Sequence, residues 1–167
     1  MTEPLWAPWR TELFQQPKPK GCIFCLLPGE GPAADQKNLI LHRGEKAYLI
    51  LNRYPYAAGH LMVVPFAHTD DVAALAPLAA ELFALAARSM DALKKVMGPD
   101  GFNVGINLGK SAGAGIEGHG HLHVVPRWSG DNNFMPVLAD RRVIPEALQE
   151  TLSRLKPHFE VAPARPK

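Results

Sequence analysis

Three of the chain's seven histidines occupy every second position of "GHGHLHVV", as His119, His121 and His123. In an extended strand, residues two apart point to one face, so this spacing lines three imidazoles along one side. Gly120, Leu122 and Val124 then point to the other side, which is apolar and belongs in the core. The histidine side is left to meet water or a ligand. A neutral imidazole is a nucleophile at physiological pH, and neighbouring groups set which ring nitrogen carries the proton. The preceding segment, "LGKSAGAGIEG", is rich in glycine. Imidazoles held beside such a loop suit attack on phosphorus, with a simple metal site or a polar edge strand as the plainer alternatives. The loop is not a Walker phosphate loop. In "GINLGKS" three residues separate the glycines where four are required, and a strand rather than a helix follows.

A second reactive cluster is "CIFC", with Cys22 and Cys25 two residues apart. A lone pair of this kind fits a redox couple, half of a metal site, or coincidence. Redox pairs open a helix after a strand, whereas "LLPGEGPAAD" is expected to break within two residues. Half of a tetrahedral zinc site is the better reading, with its missing ligands drawn from the histidine strand and from His68 after "LMVVP". Spacing alone leaves the metal open.

These residues need elements to bring them together. "NLILHR" and "KAYLILNRY" are strand-like and joined by the turn-prone "RGEK", and "GHLMVVPF" is a third strand after the turn signals of "YPYAAG". Leu75, Leu78, Leu82, Leu85, Leu93 and Val96 recur at helical spacing from about Leu75 to Met97, where Pro99, Asp100 and Gly101 stop the helix. "FNVGIN" and the histidine segment add two strands, Pro126 ends the latter or marks an edge, and "IPEALQETLSRL" is a last helix with Pro145 at its first position. Antiparallel strands, one long helix, two more strands and a final helix make an α+β fold. Residues 1–20, rich in proline and aromatics, form an irregular N-terminal arm; 21–157 form the domain; 158–167 form a flexible tail.

Length and composition limit the function. The chain has 167 residues, one domain on the usual size prior, with 47% hydrophobic and 20% charged residues. A net charge of +2 is too small to imply a nucleic-acid surface, despite Lys18, Lys20, Arg141 and Arg142. No apolar run is expected to span a bilayer, and "MTEPLWAPWR" has no signal-peptide core, so the expected compartment is the cytoplasm. Two cysteines in a reducing compartment argue against a disulfide framework.

The chain resembles the histidine-triad (HIT) family, whose signature alternates histidine with apolar residues. Here it reads His119-Gly120-His121-Leu122-His123-Val124-Val125, with Gly120 at a usually apolar position. "CIFC", "LILNRYPYAAGHLMVVPFAH", "NVGINLGKSAGAG" and "HVVPRW" follow the family's order and spacing over about residues 21–128. "RWSGDNNFMPVLADRRVIPEAL" is similar to bacterial members close to diadenosine tetraphosphate phosphorylases.

The resemblance implies an antiparallel sheet with one long helix and a C-terminal helix in a homodimer. It implies a nucleotidyl hydrolase or transferase acting on the α-phosphate of adenosine-type nucleotides. His121 is then the nucleophile, forming a covalent nucleotidyl-histidine, and His123 holds the phosphate. Asn52 takes the ribose hydroxyls, Ile23, Phe24 and Leu27 line the purine pocket, and Asn107 lies near the phosphate. Where many relatives place a Gln or Ser before the motif, this loop is one residue longer and glycine-rich, and the resemblance then implies that Ser111 or backbone N–H groups substitute. Zinc-bearing relatives use positions matching Cys22, Cys25, His68 and His119, which implies a closed structural zinc. Trp128 is a candidate interface or cross-subunit residue, or a plain core tryptophan. A dinucleoside polyphosphate phosphorylase is favoured. A nucleoside phosphoramidate or dinucleotide hydrolase and a non-catalytic nucleotide- or zinc-binding protein are the alternatives.

Overall fold

The computed structural model describes residues 21–116, 118–131 and 146–160. The N-terminal arm, Pro145 and the last seven residues lie outside them.

Five strands form one antiparallel sheet: β1 (Ile40–Arg43), β2 (Ala47–Leu51), β3 (Leu61–Pro65), β4 (Gly101–Ile106) and β5 (Leu122–Arg127). Their order is β1-β2-β3-β5-β4, so β1 and β4 are the edges. The hairpin between β1 and β2 turns as "RGEK" suggested. The Gly44 N–H donates to the Ala47 carbonyl at 2.8 Å, and the Glu81 carboxylate accepts from the Lys46 and Ala47 N–H groups at 3.0 and 3.3 Å. A Cβ at Gly44 would collide with that carboxylate.

The long helix arrives in pieces. Val72–Leu75 (α2) is capped by the Asp71 side chain, which accepts from the Ala73 N–H at 2.9 Å. A 3-10 turn at Ala76–Leu78 follows, and Ala79–Met97 (α3) runs to Gly98 in the left-handed conformation. Pro77 lacks the N–H that a continuous helix would use, which explains the break. Leu82, Leu85, Ala86, Ala92 and Leu93 are buried as α3 covers one sheet face. The expectation that no apolar run could span a bilayer needs amending: Val72–Met97 is long and apolar enough. Here Leu82, Leu85 and Leu93 belong to the sheet core instead.

The other sheet face carries a helix that the sequence did not suggest. Ile23–Gly29 (α1) opens at Cys22 and continues through Pro28. The nitrogen of Pro28 cannot donate to the carbonyl of Phe24, one turn earlier. The buried Tyr48 hydroxyl donates to that carbonyl instead, at 2.8 Å, so the helix loses no satisfied acceptor. At the far end, Leu148–Leu155 (α4) leads into Pro157–Glu160 (α5). Phe159 in α5 is buried against the core, so ordered structure extends past the expected tail boundary at 158.

Candidate functional site

The histidines sit at the start of β5 and in its approach. His123 is within the strand, opposite Met62 of β3 and Gly105 of β4, while His119 and His121 precede the paired residues. The approach is held from the side. The Gly120 N–H donates to the Thr69 carbonyl at 2.8 Å, and a Cβ on Gly120 would come within 2.9 Å of Leu75 Cδ1 and 3.3 Å of the Thr69 oxygen. Glycine at this usually apolar position therefore lets the segment after His68 come in close.

Each imidazole has a different partner, and the partners assign the protons. His119 Nε2 lies 2.9 Å from the Pro65 carbonyl, which only accepts, so Nε2 carries the proton and Nδ1 presents a lone pair. His121 Nδ1 lies 2.9 Å from the His119 carbonyl, so it is protonated and Nε2 is bare. His60 Nδ1 accepts from the Tyr56 N–H at 3.1 Å, which leaves its Nε2–H to donate to His123 Nδ1 at 2.9 Å. His123 is thereby left with Nε2–H as a donor. The site thus offers one lone pair and one proton side by side, with the His121 and His123 ring centroids 4.6 Å apart.

This face is less open than the alternation suggested: His121 is 4% and His123 8% exposed. Phe24 packs its ring 4.7 Å from His121 and 5.5 Å from His119, and Tyr56 lies over His60 and His123. Burial lowers the basicity of every ring in the group. It lowers His60 to about 3, helped by His123 and His121, and His123 to about 4, helped by His121. Burial also pushes His121 down, opposed by its hydrogen bond to the His119 carbonyl. All three imidazoles are held neutral at pH 7, the state in which a nucleophilic nitrogen keeps its lone pair.

The remaining expected residues gather around this pair to different degrees. Asn52 follows β2, its Oδ1 accepting from the Tyr54 N–H at 2.9 Å and its Nδ2 donating to His60 Nδ1 at 3.2 Å. Asn107 follows the Ile106–Leu122 pair, one step along the sheet and level with His121. Ser111 is exposed in a 3-10 turn, Lys110–Ala112, flanked by Gly109 and Gly113 at positive φ. That loop returns over Asn107, whose Nδ2 is 4.0 Å from where a Gly113 Cβ would stand. Ile23 and Leu27 are half-buried on α1, and Phe24 is buried against the imidazoles. Trp128 is half-buried just past β5, its backbone N–H donating to the Asp131 carboxylate at 3.2 Å. His60 was missed, because a lone histidine before a strand has no signature of its own.

Cys22, Cys25, His68 and His119 bring four donor atoms within 4.8 Å of one another. His119 Nδ1 is 3.3 Å from Cys22 Sγ, 3.6 Å from Cys25 Sγ and 3.3 Å from His68 Nδ1, and Cys25 Sγ is 3.4 Å from His68 Nδ1. Tetrahedral zinc with ordinary bond lengths sets nitrogen pairs about 3.3 Å apart and sulfur–nitrogen pairs about 3.6 Å apart. Burial and the neighbouring Cys22 push the Cys25 thiol up, so two thiolates here call for a cation. Donor types, distances and the bare His119 nitrogen all fit zinc, which would tie α1 to the approach of β5.

A family model described as the HIT domain matches residues 33–130. AP-4-A phosphorylase of Mycobacterium tuberculosis is 40% identical over 154 residues, covering 88% of this chain and 79% of that one. A Zn-bound histidine triad family protein from Mycobacterium smegmatis superposes with a TM-score of 0.64 at 32% identity, over 83% of this chain and 92% of that one. A hypothetical histidine triad nucleotide-binding protein from Sulfolobus tokodaii gives a TM-score of 0.59 at 27% identity, over 83% and 92%.

Proposed function

This chain belongs to the HIT family, and from that premise we propose that it is a nucleotidyl transferase or hydrolase, favoured as a dinucleoside polyphosphate phosphorylase. The observation that carries the chemistry is the bare Nε2 of His121, held by its Nδ1–H on the His119 carbonyl at 2.9 Å. Nε2 attacks the α-phosphorus of an adenosine-type nucleotide. A nitrogen–phosphorus bond forms as the bond to the departing phosphate oxygen breaks. His123 donates its Nε2–H to a non-bridging oxygen, where negative charge grows. Inorganic phosphate or water then attacks the same phosphorus and releases His121. With a dinucleoside tetraphosphate, the first step releases ATP, and the second gives ADP with phosphate as acceptor or AMP with water.

The 40% identity to the mycobacterial AP-4-A phosphorylase supports phosphate as the acceptor. Asn52 on the ribose, Ile23, Phe24 and Leu27 beside the base, and Asn107 with Ser111 near the phosphates complete the proposed site. Zinc on Cys22, Cys25, His68 and His119 has a structural role, and two thiolates kept as ligands suit the reducing cytoplasm. A homodimer is part of the same proposal. The outer edge of β4 is unpaired among the described strands, and Val104, Ile106 and Leu108 beside it are 40%, 36% and 39% exposed. The test is product analysis with labelled diadenosine tetraphosphate, with and without phosphate. Label trapped on His121 after a quench that avoids acid, and ADP formed only with phosphate, is the expected result. Label on another residue, or no release of nucleotide under either condition, overturns the reading.

A further inference from the structure

We infer that Asn52 is a positioning residue for the proton that His123 offers to phosphate, acting through His60. The amide of Asn52 has one orientation, because its Oδ1 accepts from the Tyr54 N–H at 2.9 Å. Its Nδ2 must then face His60, and it lies 3.2 Å from Nδ1. The Tyr56 N–H reaches the same nitrogen at 3.1 Å. Two donors converge on one ring nitrogen, so that nitrogen is bare and the His60 proton is confined to Nε2. His60 Nε2 is 2.9 Å from His123 Nδ1, which must accept, and the His123 proton is driven to its outward nitrogen. His60 is 0% exposed, and Tyr56 packs 4.7 Å from it and 5.9 Å from His123. The titratable groups acting on His60 are His123 and His121, both imidazoles that disfavour its protonation.

Asparagine matters here because a carboxylate only accepts. Aspartate at this position would draw a proton onto His60 Nδ1 and undo the order of the chain. The wild-type amide keeps one N–H and one oxygen lone pair to spare for ribose hydroxyls. One side chain would then both recognise the sugar and set the donor for the phosphate. This inference rests on the proposed role of His123 in holding phosphate.

The experiment compares the wild-type holoprotein with Asn52→Ala and Asn52→Asp. Imidazole nitrogen NMR reads the protonation of His60 and His123, and steady-state kinetics uses diadenosine tetraphosphate and its 2′-deoxy analogue. In the wild type, His60 should show a bare Nδ1 and a protonated Nε2. Asn52→Asp, which keeps the size of the side chain and its acceptor for Tyr54, should add a proton to His60 Nδ1 near neutral pH. Asn52→Ala should mix the tautomers. In both variants kcat should fall about tenfold or more with ribo and deoxy substrates alike, the loss of one properly aimed hydrogen bond in the transition state. Unchanged His60 nitrogens in both variants, or a loss confined to KM for the ribo substrate, overturns the inference. Full turnover by His121→Ala would instead remove the proposed function and leave the His60 protonation measurement standing.

Discussion

At the scale of single residues, the site separates its three histidines by what each one faces. His119 turns a lone pair to the sulfur–nitrogen cluster, His121 keeps one on its Nε2, and His123 keeps a proton on its Nε2. If His121 is the nucleophile as proposed, His121→Ala removes the atom that would bond to phosphorus, so turnover should fall by roughly a thousandfold or more while nucleotide affinity changes little. His123→Ala removes one donor to a charged oxygen and should cost less, about a hundredfold. Single-turnover kinetics alongside equilibrium nucleotide binding separates the two effects. Equal losses in both variants, or a loss of binding that accounts for the whole effect, would assign the roles differently. The period-two spacing made these three residues legible, because a strand converts it directly into a shared face. His60 was not legible: only the antiparallel pairing of β3 with β5 brings it to 2.9 Å from His123.

At the scale of elements, α1 and the approach to β5 depend on each other. α1 contributes Cys22, Cys25 and the Phe24 ring, and the segment after β3 contributes His68. Metal analysis of the purified protein should find close to one zinc per chain. Cys22→Ser or His68→Ala should lower the unfolding midpoint by about 5–10 °C, because binding energy and folding energy are then the same quantity. Turnover of the folded fraction should change less. A metal-free protein with Cys22 and Cys25 joined as a disulfide in its native state would falsify the metal assignment. The helix itself escaped the sequence because Pro28 reads as a breaker. Its tolerance comes from Tyr48, twenty residues later, whose hydroxyl takes over the orphaned Phe24 carbonyl.

At the scale of the molecule, burying neutral imidazoles has a consequence in acid. His60 and His123 bind protons near pH 3 and 4 in the folded chain, below the ordinary value of 6.5. The unfolded chain gains those protons first as pH falls. The fold therefore keeps its full stability above about pH 6.5 and loses it progressively as pH falls below that value, until the folded groups titrate near 4 and 3. Urea midpoints of the holoprotein from pH 7.5 to 5 should fall accordingly. Replacing His60 by Gln should flatten the slope, and a flat wild-type profile would contradict the burial argument. Assembly is tested at the open β4 edge. Val104→Arg should convert a dimer into monomers in sedimentation, and an active wild-type monomer at micromolar concentration would rule out an obligate dimer.

What the sequence determined by itself is whatever repeats with the period of a local element or matches a family motif. Alternation placed His119, His121 and His123 together, apolar runs placed the strands, helical spacing placed α3 in outline, and the motif match paired "CIFC" with His68 and His119. The tertiary structure alone decided protonation, closure and capping. Which nitrogen of each imidazole is bare depends on carbonyls and N–H groups from Pro65, His119 and Tyr56, and the use of both ends of Asn52 depends on the turn after β2. Gly120 is at an apolar position because Leu75 and Thr69 approach within contact distance. The local partners depend on how the chain turns before β3 and β5, and the distant ones join segments 54 residues apart for Pro65 and His119 and 63 apart for His60 and His123. A hydrogen bond at 2.9 Å between them exists only once the sheet register has been set.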